Sequence, residues 1–384
     1  MIMAPITSSA IICAGLSCLD LQLLGCTKSG QEEAIEQYDK AVYCAGGSAS
    51  MAATTLALIC NKADGGQQEQ ESSSTLSVYV LTKLGNDPNG SMMLDFYKEA
   101  GANTDLCFVD EKVSTAMAVL PVFKVGGRGC FFNLACNDSF TTDELLSRLD
   151  LIPSTTKVDA FLFGYPHLMP QMQGMALKSM LQSVRSKLGD NVVIGVDLNG
   201  VSADNHSEGL LSNALDEVDV LHLNEEESEI LSGRKKEELF DKGQGGEKLE
   251  AVTKKLHDDG CAVVVLSLGS KGSFLSLTAD EKRLKKCPIK SIKSWTSGTS
   301  VRVPAYQIDG EGNVNANGAG DALFSGFCWA AATQEDLSLE QCGMVASLVA
   351  RQRCDVRTRD TPSHRAEDLV KLVRDGKLPP ALST

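Results

Sequence analysis

The chain has 384 residues, of which 43% are hydrophobic, enough for one large core or two modest ones. Its formal net charge of −14 argues against nucleic acid or an anionic membrane as a partner, because both would repel it. No apolar run is long enough to span a bilayer, and the 13 cysteines include no CxxC pair. We therefore expect a soluble, cytoplasmic protein with reduced thiols and no zinc site.

The first elements predicted are a buried strand and a helix. The run "AIICAGLSCLDL" predicts a parallel strand whose carboxyl end presents Asp20. Ligands bind at this end of the strands in parallel-sheet proteins. The next segment, "GGSASMAATTLALIC", predicts a turn at Gly46 and Gly47 and a helix over residues 48–60. The polar residues 61–75 are low in complexity, which predicts a mobile surface insertion.

A different pattern follows a further strand and an amphipathic helix. Residues 113–135 predict strands joined by a turn at Gly126 and Gly127, which departs from the α/β rhythm. Together with residues 21–45, they predict a small second layer over the predicted ligand-binding site at the strand ends. We expect this layer to be a β lid built from about 21–45 and 112–135.

The middle of the chain alternates strands and helices. The strands are "VDAFLFGY", "NVVIGVDL", "VDVLHLN" and "CAVVVLSLG", and helices are predicted near 171–188, 207–215 and 246–258. This alternation predicts an α/β fold, a mostly parallel, doubly wound sheet with helices on both faces. The lysine-rich residues 281–295 predict a solvated loop or an edge strand.

A glycine-rich turn then precedes a second buried helix. In "NANGAGDALFSGF" the helix starts at Asp321 or just before it, so the amides of Gly318, Ala319 and Gly320 should point out of the helix start. Such a place favours an anion, and Asp321 adds a carboxylate that can accept a proton from an alcohol. Because the helix dipole favours the charged form, we expect Asp321 to stay ionised near neutral pH. The alternative for such a pattern is an ordinary helix cap.

Several of these motifs together resemble a known family. In order, "CAGLSCLD", "AGGSASMAATTLA", "LNEEESEILSG", "LSLGSKGS" and "NANGAGDALFSGF" resemble the motifs of the pfkB, or ribokinase-like, carbohydrate and nucleoside kinases over residues 10–350. The resemblance implies transfer of the terminal phosphoryl group of ATP, with Mg²⁺, to a hydroxyl, usually a hydroxymethyl, of a sugar. Lids in this family often pair between subunits, so a homodimer through the lid is one assembly that it implies.

The resemblance also implies roles for single residues. The catalytic group has a base, Asp321, and an anion hole of Gly318, Ala319 and Gly320. The residues implied to bind the acceptor are Asp20, Gly46, Gly47 and Asp321. Those implied to bind ATP are Asn224, Ser267, Gly269, Gly272 and Gly320. Asn224 and Glu227 would organise Mg²⁺ and phosphates, often through water.

Two further groups lie near the predicted site. Arg128 is part of the predicted lid, where it would meet acceptor or phosphate oxygens on closure; the alternative is a solvated hairpin arginine. Tyr165, Pro166 and His167 end a strand on the same rim and would shape substrate choice, unless His167 is an ordinary turn histidine.

The chain departs from the family pattern in two motifs. Met51 stands where the family usually has asparagine, and Asn315 and Ala316 replace the Asp and Thr of its DTxGAGD signature. The latter change removes a charge near the place where relatives bind a monovalent cation, so dependence on such a cation stays open. A nucleoside kinase of the adenosine kinase type and a non-catalytic binding or regulatory protein also stay open. A Rossmann dehydrogenase is excluded, because "LSCLD" rather than a GxGxxG fingerprint follows Gly15.

Overall fold

The computed structural model describes residues 6, 8–27, 35–61, 76–124, 127–198, 211, 213–232, 245–310 and 312–382. Residues 62–75 of the predicted insertion, Gly126, and residues 207–210 and 212 of one predicted helix lie outside these ranges. The strands are β1 (Ser8–Gly15), β2 (Cys18–Cys26), β3 (Lys40–Gly46), β4 (Leu76–Leu81), β5 (Lys83–Gly85), β6 (Phe108–Asp110), β7 (Met117–Phe123), β8 (Phe131–Asn133), β9 (Thr156–Gly164), β10 (Val193–Asp197), β11 (Val220–Asn224), β12 (Val263–Ser267), β13 (Ser273–Leu277) and β14 (Ser300–Val303). The α-helices are α1 (Ser48–Cys60), α2 (Pro88–Glu99), α3 (Thr142–Leu149), α4 (Met175–Leu188), α5 (Glu225–Ser232), α6 (Gly245–Asp258), α7 (Glu281–Lys286), α8 (Ala319–Thr333), α9 (Leu339–Cys354) and α10 (Ala366–Arg374).

The main sheet of the described chain has eight strands in the order β14-β13-β12-β11-β10-β9-β1-β4. The strands from β4 to β12 in this order are parallel, while β13 is antiparallel to both its neighbours. Every residue of β10 is buried, as expected for a strand covered on both faces. The prediction of a mostly parallel, doubly wound α/β sheet is confirmed.

Two hydrophobic clusters cover the two faces of this sheet. Along β1, Ile11 and Cys13 belong to the cluster that includes α1, α8 and α9, whereas Ile12 and Ala14 belong to the cluster that includes α3 and α4. This alternation follows from the two-residue period of a strand. No helix in the described ranges is long and apolar enough to cross a bilayer.

A separate small sheet has the order β3-β2-β7-β8 and uses segments from both ranges of the predicted lid. One detail of the prediction was wrong: β2 begins at Cys18, so Asp20 belongs to this small sheet and not to the end of β1. The reason is Gly15, whose φ of +116° interrupts the extended backbone. A Cβ at this position would lie 2.4 Å from the Gly164 carbonyl oxygen.

The lysine-rich residues 281–295 form neither a loop nor an edge strand. They contain α7 and a 3₁₀ helix, Lys290–Ser294. Asp280 caps α7 by accepting hydrogen bonds from the amides of Lys282 and Arg283. The Arg283 guanidinium forms an ion pair with the buried Asp219 carboxylate at 3.2 Å, which anchors this helix to the core.

Candidate active site

The carboxyl ends of neighbouring parallel strands meet at one edge of the main sheet. In the strand register Gly15 is opposite Gly164, Gly164 is opposite Asp197, and Asn224 is opposite Ser267. A cavity of about 1150 Å³ opens between this edge, the small sheet and the start of α8. Open α/β sheets bind their ligands at this place.

The glycine-rich turn forms one wall of this cavity. Gly318, Ala319, Gly320 and Asp321 all line it, and α8 begins at Ala319. Gly318 has a φ of +82°, a left-handed conformation that favours glycine. The Ala319 amide donates to the Ala316 carbonyl at 3.1 Å, so the helix start leaves mainly the Gly320 and Asp321 amides for an anion.

Asp321 lies at the first turn of α8 and is only 2% exposed. Its Oδ1 accepts a hydrogen bond from the Tyr165 hydroxyl at 3.1 Å. Burial, and next the negative charge of Asp197, raise the pKa of Asp321 to about 7. Asp321 is therefore only partly ionised near neutral pH, short of the full ionisation expected from its helix position, because desolvation outweighs the helix dipole here. The carboxyl can exchange its proton near neutral pH.

A buried acid, Asp197, and a buried histidine, His222, lie near Asp321, and His222 also lines the cavity. Asp197 accepts a hydrogen bond from the Ser48 hydroxyl at 3.2 Å, and its Oδ1 lies 2.7 Å from His222 Nδ1. The His222 ring stacks on Phe324 of α8 with 5.8 Å between ring centroids. Burial alone would lower the pKa of His222, but the Asp197 charge and hydrogen bond raise it. Sequence reasoning missed this pair, although an acid and a histidine within otherwise apolar strands were the available signal.

Of the three rim residues, Tyr165 alone is part of the cavity wall. Its φ of +61° turns the chain directly after β9 and brings its hydroxyl to Asp321. Pro166 and His167 are buried in the following 3₁₀ helix, and the rings of His167 and Tyr165 lie 5.9 Å apart. His167 therefore supports Tyr165 rather than facing the cavity.

The Asp20 carboxylate lies on β2 and is 7% exposed. Its Oδ1 accepts a hydrogen bond from the Cys18 thiol at 3.2 Å, and a Cβ at Gly46 would lie 2.1 Å from that oxygen. Burial raises the pKa of Asp20, while Cys18 and the positive charge of Arg128 act in the opposite direction. The cavity wall at this point is formed by Gln22, and Asp20, Gly46 and Gly47 lie outside it. Only glycine at position 46 leaves room for the carboxylate.

Arg128 joins the small sheet to the glycine-rich turn. It is exposed, yet its Nη1 donates to Asn317 Oδ1 at 2.7 Å, and both residues line the cavity. Asn317 was part of the motif in the sequence but was not singled out. The structure thus places the arginine at the cavity rather than on a free hairpin.

The residues predicted for ATP lie on the other side of the cavity. Asn224, Ser267, Gly269 and Gly272 all line it. Gly269 and Gly272 have positive φ and flank a 3₁₀ turn, and a Cβ at Gly272 would lie 2.0 Å from the Val303 carbonyl oxygen. This turn therefore needs glycine, and it exposes backbone to the cavity.

Asn224 and Glu227 are partners of each other. The Asn224 amide donates to Glu227 Oε2 at 2.8 Å, and the Glu227 amide donates to Asn224 Oδ1 at 2.9 Å, a reciprocal cap of α5. Glu227 is 1% exposed and lies outside the cavity wall. In the part of the chain that the structure describes, no group of three or more His, Cys, Asp or Glu side chains could hold a metal ion. A Mg²⁺ ion would fit here only through water and ligand phosphates, as it commonly binds.

The departures from the family pattern lie next to the glycine-rich turn. A Cβ at Gly318 would lie 2.1 Å from Met51 Cε, and Met51 Sδ lies 3.2 Å from Nη2 of Arg353. Asn315 and Ala316 line the cavity. Sequence reasoning also missed Arg353, since nothing in its helix marks it as a site residue.

The fold and this strand-end cavity define a doubly wound α/β protein with a glycine-rich turn at the cavity. A family model described as pfkB family carbohydrate kinase matches residues 10–364, so the chain belongs to the pfkB carbohydrate kinase family. A comparison with curated proteins found no match.

Solved structures share the fold over nearly the whole chain. The ribokinase of Arabidopsis thaliana, solved with ribose and ATP, is 18% identical with a TM-score of 0.66, covering 97% of this chain and 99% of that chain. The ribokinase of Giardia lamblia is 15% identical with a TM-score of 0.69 (95% and 99% covered). The nucleoside kinase of Methanocaldococcus jannaschii is 16% identical with a TM-score of 0.61 (95% and 98% covered).

Proposed function

We propose that this protein is an ATP-dependent kinase that phosphorylates a hydroxyl, most simply a hydroxymethyl, of a sugar, with Asp321 as the base. The observation that carries this proposal is a buried carboxyl in the cavity wall at the start of α8, next to the glycine-rich turn. Burial and the charge of Asp197 raise its pKa to about 7. A base is most effective when its pKa lies near the operating pH. The hydrogen bond from Tyr165 holds the carboxyl in one orientation, so it can align the acceptor hydroxyl.

The glycine-rich turn supplies the second part of the proposed chemistry. Phosphoryl transfer needs little covalent help from the protein, but its negative charge must be held. We assign this role to the amides of Gly320 and Asp321 at the positive end of α8, with Gly318 and Ala319 shaping the turn. Bound ATP would supply the phosphoryl group, held by Asn224 and the turn after β12.

Acceptor binding is assigned to the small sheet and its neighbours. The Asp20 carboxylate can accept two hydroxyl hydrogen bonds, and Gly46 leaves room beside it. Arg128 already spans from the small sheet to Asn317, which supports closure of this sheet over the acceptor. A homodimer through the small sheet and a cytoplasmic location stay predictions.

A nucleoside acceptor is the second candidate. Leu24, Leu120 and Val122 of the small sheet line the cavity, and this apolar surface could pack against a base. Because a sugar would leave that surface uncovered, the ratio of turnover with nucleosides to turnover with free sugars separates the two candidates.

The test is ADP release with ATP and Mg²⁺ across a panel of sugars, sugar acids and nucleosides, with Asp321→Asn as the paired control. Turnover with one acceptor class that the variant lacks would support the kinase and name its class. If no acceptor raises turnover above the variant, while ATP still raises the Tm, the non-catalytic alternative is supported instead.

The proposed base predicts how activity depends on pH. Asp321 must be ionised to accept a proton, and its raised pKa means that the ionised fraction falls below about pH 7. We expect kcat/KM to fall about tenfold per pH unit on the acid side of this value. A profile that stays flat from pH 8 to pH 5.5 would contradict this assignment.

The role assigned to Glu227 predicts a changed Mg²⁺ requirement. In Glu227→Gln the amide oxygen can still accept from the Asn224 amide, but the negative charge near the metal is lost. We expect half-maximal activity at a Mg²⁺ concentration several times higher, measured by titration at fixed ATP. Glu229→Gln on the same helix is the control, and an unaltered titration in Glu227→Gln would remove this residue from the metal site.

A further inference from the structure

Arg353 is a buried cation that the proposed function does not use. It lies on α9, is 7% exposed, and takes part in no ion pair of the described residues. Its Nη2 contacts Met51 Sδ at 3.2 Å, and its Nε is buried without a hydrogen-bond partner in the described part of the chain. A buried charge without an ion-pair partner costs stability, so its retention calls for a compensating partner.

The guanidinium lies close to the glycine-rich turn. A Cβ at Gly318 would lie 3.1 Å from Arg353 Nε, so the unpartnered Nε lies beside the start of α8. Arg353 itself does not line the cavity. In this buried environment a positive charge acts strongly across one layer of backbone.

We propose that Arg353 is the resident counter-charge of the phosphoryl-transfer site: a fixed cation that offsets the charge of the anion held at Gly318–Asp321 and favours the ionised form of Asp321. The inference rests on the proposed function. Arg353 is a positioning residue, because it acts through the turn and through Asp321 and does not touch the acceptor. The Asn315 amide donates to the Cys354 carbonyl at 2.8 Å, so the end of α9 that carries Arg353 lies against the glycine-rich turn.

The charges around the two groups agree with this arrangement. The groups that act on the Asp321 carboxyl are Asp197, Tyr165, His222 and Arg353. The groups that act on Arg353 are Arg359, Asp360, Cys44 and Asp321. Burial and then Arg359 lower the pKa of Arg353, but a guanidinium stays protonated in proteins. The positive charge of Arg353 lowers the pKa of Asp321, against the effect of burial, and it also lowers the pKa of Asp20.

The test replaces Arg353 with neutral and charged side chains. The variants are Arg353→Met, Arg353→Gln and Arg353→Lys, and the control is Arg374→Met, which removes an exposed arginine from α10. A first readout needs no turnover: the pKa of Asp321 is followed by NMR of protein carrying ¹³C-carboxyl aspartate, with the signal assigned by its loss in Asp321→Asn. We expect this pKa to rise by about one unit in the Met and Gln variants and to stay near the native value in the Lys variant.

The second readout combines kinetics with stability. In Arg353→Met we expect kcat at pH 7 to fall at least about tenfold, the acid limb of the kcat/KM profile to move to higher pH, and Arg353→Lys to recover most of the loss. The Tm should be unchanged or higher, because an apolar side chain of similar volume replaces a buried charge. A residue that only holds the fold together would instead lower the Tm without moving the pH profile.

The outcomes separate this inference from the proposed function. If native protein shows no turnover with any acceptor, the proposed function fails, and the NMR titration still tests the link between Arg353 and Asp321. If native protein is active while both the pKa of Asp321 and kcat are unchanged in folded Arg353→Met and Arg353→Gln, only the inference on Arg353 is overturned.

Discussion

Asp321→Asn is expected to lower kcat by at least about a thousandfold while leaving the fold and ATP binding intact. Asparagine keeps the shape of the side chain and can still accept a hydrogen bond from Tyr165, but its neutral amide cannot take a proton from the acceptor. The Tm should not fall, since the native carboxyl is buried near Asp197 and its ionised form is already disfavoured.

The measurement is ADP release with the best acceptor of the panel, together with ATP affinity by calorimetry. The matched control is Asp143→Asn, an exposed aspartate in the first turn of α3, which makes the same chemical change at another helix start. Turnover near the native rate in Asp321→Asn would remove Asp321 as the base. A large loss of ATP affinity would instead assign this carboxylate to nucleotide binding.

Asp20→Asn is expected to raise the KM for the acceptor by about tenfold or more, with little change in the KM for ATP. The Asp20 carboxylate is buried, and hydrogen bonds to a charged group contribute about 1.5–3 kcal/mol each. Asparagine keeps the volume beside Gly46, so the change does not open a cavity. The loss should therefore report the missing charge alone.

Initial rates with each substrate varied in turn give the two KM values. Asp39→Asn serves as the control, because Asp39 is exposed and pairs with Lys124 away from the cavity. Unchanged acceptor kinetics in Asp20→Asn would remove Asp20 from the acceptor site. A rise in the KM for ATP alone would instead assign Asp20 to the ATP site.

Local patterns were sufficient to predict the elements that build the site. The apolar, β-branched runs predicted the parallel strands, and the glycines before Asp321 predicted where α8 begins, because hydrophobic period and turn chemistry act over a few residues. The motifs that resemble the pfkB family also predicted residues that line one cavity, among them Asn224, Ser267 and Gly272. The roles of these residues stay predictions until the variants are measured.

Other features could not be predicted because they depend on neighbours that are distant in the chain. The assignment of Asp20 to the small sheet follows from the break at Gly15, where the chain packs against Gly164. Glu227 was predicted to organise Mg²⁺, and its burial and its reciprocal hydrogen bonds with Asn224 were not predicted.

The sequence by itself determined the fold class, the family and the position of the carboxyl at a helix start, since each is encoded in short-range pattern. The tertiary structure alone decided the protonation of that carboxyl. Desolvation by the surrounding core and the charges of Asp197, His222 and Arg353 set the pKa of Asp321, and these groups meet only when β10, β11, α8 and α9 pack together. Burial and electrostatic interaction depend on distance in space, which no local sequence pattern contains.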